Sequence, residues 1–359
     1  MSKQLPAILD GLAAAGFIEQ RIGDASKFPL VFTEEFGERR ERRPTTITPG
    51  PALLEELPHL AFTDFGECAK RELIVLRGPH LDHWTRGKLI DYADTPITEG
   101  WRRDLVVINA WLRGLDIVLV DAPHIDTGER RLHRVFSRGR FDSGGRLAGG
   151  FWLRLPKALR PNLRIAGEPI AVVDFTSMFP RMCFALAGEP QPAGDIYAIA
   201  GLGAHHRGAV KALVAARLFD TGPRTRWPKR KKGDVRSGRP RPPMPVGAVL
   251  AAIEAAHPTL ARHFGRGLGH HLMFLESEII LRVLRGAIAA GVPLLPLHDA
   301  VLCPVSKTQE GAALMKEASE IVLGGQLPVS IELTTHHDQQ PTNTQREHPP
   351  PLLRGIWGP

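Results

Sequence analysis

The chain has 359 residues and an apolar fraction of 43%, enough for two or three domains with a hydrophobic core, and its formal net charge of +8 favours a polyanionic partner. No run approaches the roughly 18 apolar residues of a membrane span and no basic start leads into a cleavable apolar core, so a cytoplasmic location is expected. Three scattered cysteines without C-x-x-C spacing exclude a disulfide framework and a zinc ribbon.

The N-terminal region carries helical patterns. An opening stretch places four apolar residues on one helical face, Leu5, Ile8, Leu9 and Leu12. Farther on, Thr95-Pro96 has the character of an N-cap and a first helical turn, and apolar residues follow at helical spacing: Trp101, Leu105, Ile108 and Leu112. We therefore expect residues 1–139 to form a mainly helical region, with its apolar stripe in the core.

Two apolar strands in the rest of the chain each lead to an aspartate. The first, Ile170–Val173, ends in Asp174. The runs Leu294–Leu297 and Val301–Cys303 flank the polar pair His298-Asp299. This second pattern predicts a tight β-hairpin that presents an acid at its tip.

The segment between the two aspartates is basic. Arg207 and Lys211 are four residues apart, so a helix would present both on one face. The following segment, Arg224–Arg241, contains nine Lys or Arg against a single acid and is interrupted by Pro and Gly. It is predicted to be a flexible basic loop that attracts nucleic acid, with a plain solvated linker as the alternative. Three further elements are predicted after it: a helix over 260–290 closed by Gly291, a helix over Gln309–Leu323 and an antiparallel strand over Pro328–Leu333.

The two strand-borne acids indicate a metal site. A buried carboxylate is costly unless it is paired, hydrogen-bonded or bound to a metal. Asp174 and Asp299 can together hold two divalent cations about 3.5–4 Å apart, which clamp the attacking and leaving oxygens in phosphoryl transfer. Such ligands suit Mg²⁺, and Mn²⁺ is a possible substitute. The alternative is that both aspartates only cap turns.

The order of these motifs resembles that of family A DNA polymerases and of the related single-subunit RNA polymerases. In these enzymes a metal-binding Asp lies in motif A, a fingers helix carries R-x(3)-K-x(7)-Y-G, and a second Asp lies in an apolar-His-Asp-apolar hairpin called motif C. Here Asp174 is followed by Arg207-Gly-Ala-Val-Lys211, by Phe219 at the position of the Tyr, and by His298-Asp299.

Two shorter segments extend the resemblance to about residues 140–335. Gly144-Gly-Arg-Leu147 looks like the Thr-Gly-Arg-Leu of the family, and Asp195-Ile-Tyr197 looks like its Asp-Ile-His. The resemblance implies an α+β right-hand polymerase fold with an antiparallel β palm, helical fingers and a thumb-like N-terminal region. The implied regions are 1–139 for the N-terminal region, 140–194 and 259–335 for the palm, 195–258 for the fingers with a basic loop at 223–245, and 336–359 for a disordered tail.

The resemblance also implies roles for individual residues. Asp174 and Asp299 would be catalytic and would bind the metals together with the backbone carbonyl of Phe175. Five side chains would contact the nucleotide: Arg207, Lys211, Phe219, Tyr197 and Phe179. Those implied at the nucleic acid are Arg146, His298, Arg224, Arg226, Lys229, Arg230, Lys231 and Lys232.

The chain departs from the family at several places. Phe179 stands where family A has a Glu that helps to exclude ribonucleotides, and the surrounding segment is closer to motif A of family B polymerases. In that family an aromatic ring is the steric gate, so a preference for deoxynucleotides is expected. Phe219 lacks a hydroxyl, and Ala215 and Met273 replace an aromatic residue and a Gln. None of these changes removes a metal ligand.

The expected function is therefore addition of dNTPs to the 3′-hydroxyl of a DNA primer-template by a monomeric polymerase without a proofreading domain, with two Mg²⁺ ions. Three alternatives remain open. They are a primer-independent RNA or primer synthase on the same palm, a non-enzymatic nucleic-acid-binding protein on a polymerase scaffold, and a two-metal nuclease.

Overall fold

The computed structural model describes residues 4–22, 31–33, 37–39, 46–56, 72–79, 87–121, 125–228 and 240–334. The chain divides into a unit formed by Met1–Arg71 and a larger unit formed by Glu72–Pro359. Four of the predicted site residues, Lys229, Arg230, Lys231 and Lys232, and the predicted tail at 336–359 lie outside the described residues. The other site residues all belong to the larger unit.

The smaller unit contains short helices and strands. Its helices are α1 (Gln4–Ala14) and α2 (Pro51–Glu56). Its strands are β1 (Ile18–Arg21), β2 (Val31–Thr33), β3 (Gly37–Arg39) and β4 (Thr46–Pro49). β1 pairs with β4 and β2 pairs with β3, both antiparallel. The opening helix predicted from the apolar spacing is therefore confirmed as α1.

The larger unit is built on an antiparallel sheet of order β11-β12-β10-β9-β6, in which β13 also pairs with β10. The strands are β6 (Ile117–Leu119), β9 (Leu163–Ile165), β10 (Glu168–Phe175), β11 (Leu295–Leu297), β12 (Ala300–Pro304) and β13 (Val329–Leu333). β10 is central, because β12 and β13 flank its C-terminal half and β9 pairs with its first residues.

A second sheet contains β5 (Ile74–Leu76), β7 (Leu132–Ser137) and β8 (Arg140–Gly149). β7 and β8 form an antiparallel hairpin, and β5 lies parallel to β7. The helices of the larger unit are α3 (Pro96–Gly114), α4 (Phe151–Arg154), α5 (Met178–Leu186), α6 (Arg207–Phe219), α7 (Val246–Ala256), α8 (Pro258–Ala261), α9 (Gly269–Ala290) and α10 (Thr308–Leu323). The described residues thus form an α+β fold with largely antiparallel sheets.

Both faces of the central sheet are buried, which explains the continuous apolar runs of its strands. Val301 and Cys303 of β12 belong to one hydrophobic cluster, whereas Ala300 and Leu302 belong to another. Successive side chains of a strand point to opposite faces, so one strand supplies both clusters. By the same alternation Val173 points to one face of β10 and Asp174 to the other.

Helix α9 connects the two sheets. It packs against β8 and against α10, and it ends at Gly291, whose positive φ of 65° is the left-handed conformation that closes many helices. Only a short connection then leads into β11. The same helix therefore covers the β7–β8 hairpin and positions the β11–β12 hairpin.

Several predicted elements are confirmed. Thr95 caps α3 in a reciprocal hydrogen-bonded capping box with Thr98. The hairpin at His298-Asp299, helix α10 and strand β13 also lie where the sequence predicts them. The predicted helix over 260–290 is wrong in its first part: α9 begins only at Gly269, because Gly265 and Gly267 adopt positive φ angles of 72° and 68° that interrupt a right-handed helix.

The prediction of a mainly helical N-terminal region also needs correction. Within 1–139 the described residues form α1, α2 and α3 but also strands β1 to β7, so the region is mixed. Residues 72–139 belong to the larger unit, where β6 joins the central sheet. The physical reason is tertiary, because three-residue strands such as β5 and β6 are too short to show a period in the sequence. Among the described residues, no helix is long and apolar enough to cross a membrane.

Candidate active site

The central sheet brings Asp174 and Asp299 side by side. Asp174 lies opposite Ala300 in the β10–β12 ladder, and Ala300 directly follows Asp299. The backbone N–H of Phe175 donates to the carbonyl oxygen of Asp299 over 3.3 Å. The ring of Phe175 is buried in the core, so only its backbone can serve the site. Both aspartates are half-buried.

The turn that carries Asp299 has two residues, His298 and Asp299, between the paired residues Leu297 and Ala300. His298 adopts a positive φ of 58°. Two-residue hairpin loops require such left-handed conformations, because their twist then matches that of the flanking strands. The tight turn fixes the direction in which Asp299 leaves the sheet.

The electrostatics of Asp174 mark it as an unusual acid. Its pKa is raised to about 7, first by burial and then by the negative charges of Asp299 and Glu332, while Lys211 opposes this shift. Its Oδ1 atom is buried and accepts no hydrogen bond from the described residues. Such a carboxylate lacks the partner that burial normally demands, and a bound cation would supply one.

The donor set of this site fits a hard divalent cation. Asp174, Asp299 and the backbone carbonyl of Phe175 offer oxygen ligands of the kind that Mg²⁺ prefers. The buried, unpartnered Oδ1 of Asp174 is the observation that favours a cation here. Across the described ranges, no group of three or more His, Cys, Asp or Glu side chains could hold a metal, so water and substrate oxygens would have to complete the coordination.

Helix α6 carries the two basic side chains, Arg207 and Lys211, that the sequence places on one face. The Arg207 guanidinium forms a bidentate ion pair with Asp195, with distances of 2.5 and 3.0 Å. Its Cζ lies 5.3 Å from the centre of the Tyr197 ring, and Nζ of Lys211 lies 5.9 Å from the same centre. The side chain of Tyr197 is buried beneath both cations. Because Lys211 also lowers the pKa of Asp174, the basic face of α6 lies within electrostatic reach of the two aspartates.

The predicted aromatic residues form a row beside this face. The rings of Phe179 and Phe219 lie 6.2 Å apart, and Phe219 meets the ring of His270 edge-on at 5.1 Å. At its other end, Phe179 lies 5.7 Å from the guanidinium carbon of Arg146. The structure therefore brings Phe179, Phe219 and Arg146 together.

An open cleft of about 890 Å³ lies next to the aspartates. Asp174, Asp299 and Glu332 line it on one side, and the turn Lys157–Asn162 supplies Lys157 and Arg160. His298 also lines the cleft and is exposed. The pKa of His298 is lowered, first by desolvation and then by the positive charge of Arg146, while Asp299 opposes the shift.

The first residues of the basic segment Arg224–Arg241 contact the rest of the larger unit. Arg224 forms a bidentate ion pair with Asp220, with distances of 2.7 and 2.6 Å, whereas Arg226 is exposed. Trp227 packs against the core, and the guanidinium carbon of Arg241 lies 5.5 Å from its ring centre. Two of the predicted nucleic-acid contacts in this segment, Arg224 and Arg226, lie among the described residues, and of these two Arg226 is the exposed one.

No family model matches the chain, and no curated protein matches it in sequence. Among solved structures, the POL domain of Pol1 from M. smegmatis, in complex with DNA primer-template and dNTP, is similar to it. The similarity is distant, with a TM-score of 0.32 and 13% identity, and it covers 71% of this chain and 57% of that one. The chain thus matches little more than half of that domain.

Glu276 is a further residue at this site, to which the sequence assigns no role. It lies on α9, it is buried, and its carboxylate forms two hydrogen bonds with Arg146, at 2.7 and 2.5 Å. Burial raises the pKa of Glu276 to about 7, and the charges of Asp299 and Asp174 add to the shift. A Glu within an otherwise apolar helical face is the signal that could have revealed it.

Proposed function

We propose that this chain is a template-directed nucleotidyltransferase, and specifically a DNA-directed DNA polymerase that adds dNTPs to a primer 3′-hydroxyl. One observation carries the proposal: two carboxylates, Asp174 and Asp299, lie together at an open cleft with the basic face of α6 in electrostatic reach. Nucleotidyl transfer requires these groups, because a metal must be held by acids while a triphosphate is held by cations.

In this proposal Asp174, Asp299 and the carbonyl of Phe175 hold two Mg²⁺ ions, for which Mn²⁺ can substitute. When bound, the ions make the primer hydroxyl more acidic and neutralise the triphosphate. The carboxylates would determine the position of the ions, since β10 and the β11–β12 turn are joined by the Phe175–Asp299 hydrogen bond. Asp174 would be deprotonated as a ligand of such an ion, against the burial that favours its acid form.

Arg207 and Lys211 bind the triphosphate. Both are exposed side chains on the same face of α6, and Asp195 holds Arg207 in an extended, bidentate orientation. Positive charge at this place stabilises the negative charge that builds on the phosphates in the transition state. Arg207→Ala or Lys211→Ala is expected to reduce incorporation through weaker nucleotide binding.

The sugar and the base face the aromatic row. Phe179 excludes a 2′-hydroxyl by steric overlap, Phe219 stacks beside the nascent pair, and Tyr197 supports the two cations from below. Arg146 and His298 contact the primer terminus. Arg224, Arg226 and the basic segment that continues through Lys229–Lys232 attract the phosphate backbone.

These assignments make the central sheet the palm and α6 the core of the fingers of a right-hand polymerase. Residues 140–194 and 259–335 then belong to the palm, which β6 joins from the preceding part of the larger unit, and residues 195–258 are the fingers with the loop 223–245. The working form is a monomer on a primer-template.

Primer extension tests the function directly. A labelled DNA primer-template is incubated with Mg²⁺ and either dNTPs or rNTPs, and wild type is compared with Asp174→Asn, Asp299→Asn and the exposed control Glu317→Gln of α10. We expect extension with dNTPs, its loss by about 10³-fold or more in each Asn variant, and no change in the control. Phe179→Ala is expected to admit rNTPs.

Other outcomes would replace the proposal. Product formed without an oligonucleotide primer would assign a primer synthase. Tight, salt-sensitive DNA binding without incorporation in Mg²⁺ or Mn²⁺ would assign a binding protein. Template degradation would assign a nuclease.

A further inference from the structure

A second cleft, of about 500 Å³, lies behind the aromatic row. The cleft is lined by the β7–β8 turn and the first residues of β8, by the segments that follow α6 and precede α9, by the first turn of α9, and by Pro79 after β5. His271 joins two of them, because its Nδ1 lies 3.2 Å from the carbonyl oxygen of Asp142. The segment before α9 is joined to the segment after α6, because the backbone N–H of Gly267 donates to the carbonyl oxygen of Asp220 over 2.7 Å.

The lining of this cleft is strongly basic. It contains three arginines and two histidines, Arg138, Arg140, Arg266, His270 and His271, and a single acid, Asp142. Arg140 already neutralises that acid through two hydrogen bonds of 2.8 and 2.5 Å. Arg138 and Arg266 are exposed and have no ion-pair partner among the described residues. Two positive charges therefore remain available to an anion.

The β7–β8 turn defines the backbone conformation at one of these charges. Arg138 and Gly139 are its two loop residues, and their φ angles of 61° and 69° are both positive. A two-residue loop of this kind normally favours Asn or Asp followed by Gly at these positions, because most side chains are strained there. The tight turn presents the side chain of Arg138 at the tip of a hairpin rather than on a loose loop.

The cleft leads directly to the candidate site. His270 lines the cleft and also touches Phe219, which in turn contacts Phe179 beside Arg146. Gly269 makes this contact possible, since a Cβ there would come within 2.6 Å of the Phe219 ring.

We propose that this cleft binds the sugar-phosphate backbone of the unpaired template strand as it approaches Phe219, an inference that rests on the proposed polymerase function. Basic grooves flanked by aromatic rings are the usual receptors of single strands, because cations follow the backbone and rings stack on bases. The volume of about 500 Å³ lies within the range of about 300–1,000 Å³ that is typical of small-ligand pockets, which suits a single backbone better than a double helix.

The test measures DNA binding without nucleotides, by fluorescence anisotropy, on a blunt duplex and on the same duplex with a single-stranded 5′ template extension. The double variant Arg138→Gln/Arg266→Gln is compared with wild type and with Arg282→Gln/Lys316→Gln. The control removes the same charge from exposed positions on α9 and α10. Thermal unfolding confirms that each variant is folded.

We expect the cleft variant to bind the extended duplex about 5- to 20-fold more weakly than wild type and the blunt duplex less than about 2-fold more weakly. The slope of log affinity against log salt on the extended duplex should decrease by about 1.4, which corresponds to two single-strand phosphate contacts. Equal losses on both substrates, or behaviour equal to that of the control variant, would overturn the inference.

Primer extension by the same proteins separates this inference from the proposed function. If wild type extends primers while the cleft variant matches the control in binding, the cleft assignment alone fails. If wild type extends nothing and yet binds the template extension through Arg138 and Arg266, the polymerase proposal fails and the cleft remains a single-strand site. If wild type binds no DNA, both fail.

Discussion

Two arginine–glutamate pairs join the β7–β8 hairpin to α9, and they are built in opposite ways. Arg134 of β7 pairs with Glu278 at 2.9 Å, with the arginine 0% and the glutamate 30% exposed. Arg146 of β8 pairs with Glu276 at 2.5 Å, with the arginine 35% and the glutamate 1% exposed. The first pair buries its cation and the second buries its anion.

The buried cation is held as part of the core. The guanidinium carbon of Arg134 lies 4.7 Å from the ring centres of both Trp101 and Phe136. The guanidinium nitrogens of Arg134 also donate to the carbonyl oxygen of Gly145 over 2.9 Å and to the hydroxyl of Ser277 over 2.6 Å. Burial lowers the pKa of Arg134 to about 10, which still leaves it charged at neutral pH. This pair anchors the hairpin on the helix.

In the second pair the buried anion, Glu276, holds an arginine that remains partly exposed. Glu276 holds Arg146 from below, and the exposed part of Arg146 lies over Phe179 near the two aspartates. The two glutamates are only two residues apart on α9, yet burial shifts a pKa in each pair in the direction that opposes the buried charge. The same chemistry therefore serves as an anchor in one pair and as support for an exposed arginine in the other.

Removal of the anchor should have the largest effect on stability. Arg134→Met leaves Gly145 and Ser277 without their donor and loses the contacts with Trp101 and Phe136. We expect a decrease of about 3–5 kcal/mol in the free energy of unfolding, measured by urea denaturation. Adding Glu278→Gln should not restore it, because that glutamate is partly solvated. Recovery in the double variant would contradict the anchor assignment.

Glu276→Gln should change how stability depends on pH. The pKa of Glu276 is raised from 4.5 to about 7, so its contribution to stability is fully present below about pH 4.5 and is lost as the pH rises through 7. The unfolding free energy of the Gln variant should therefore fall by about 3 kcal/mol less than that of wild type between pH 4.5 and 8. Metal-free buffer is required, and the contribution of Asp174, which has the same sign, remains in both proteins.

Arg146→Met should destabilise the protein only where Glu276 is charged. At pH 8 the buried carboxylate loses its partner, and we expect a cost of about 2–3 kcal/mol that shrinks as the pH falls through 7. The double variant with Glu276→Gln should regain most of this stability without regaining primer extension. An equal cost at pH 5 and pH 8 would show that Arg146 acts through packing alone.

Glu278→Gln should have the smallest effect. The amide keeps a hydrogen-bond acceptor for Arg134 while it removes a partly solvated charge, so we expect about 1–2 kcal/mol of destabilisation with little pH dependence above pH 6. Thermal unfolding of the variant and of wild type at pH 6.5 and at pH 8 measures the destabilisation and its dependence on pH. Primer extension should be unchanged when the variant is folded.

Local patterns in the sequence were sufficient for some elements. The hairpin at His298-Asp299 follows from apolar runs on both sides of a polar pair, and α3 follows from the N-cap Thr95 and an apolar stripe. The positions of Asp174 at the end of β10 and of Arg207 and Lys211 on one face of α6 follow in the same way. Their functional roles stay predictions.

Other features have no local signal. Strand pairing puts β6 in the central sheet and divides the chain after Arg71 rather than after residue 139. Glycine conformations delay the start of the predicted helix to Gly269. The basic cleft at Arg138 and Arg266 unites residues that are far apart in the chain, so no spacing rule could join them.

The sequence by itself determined which residues carry charge at the ends of strands and on helix faces, because period and turn chemistry act over a few residues. Only the tertiary structure decided which charge is buried. Glu276 and Glu278 lie on the same helix with the same chemistry, and packing against β7 and β8 made one the buried anion and left the other partly exposed. Burial depends on contacts between distant segments, and it is burial that shifts their energetics.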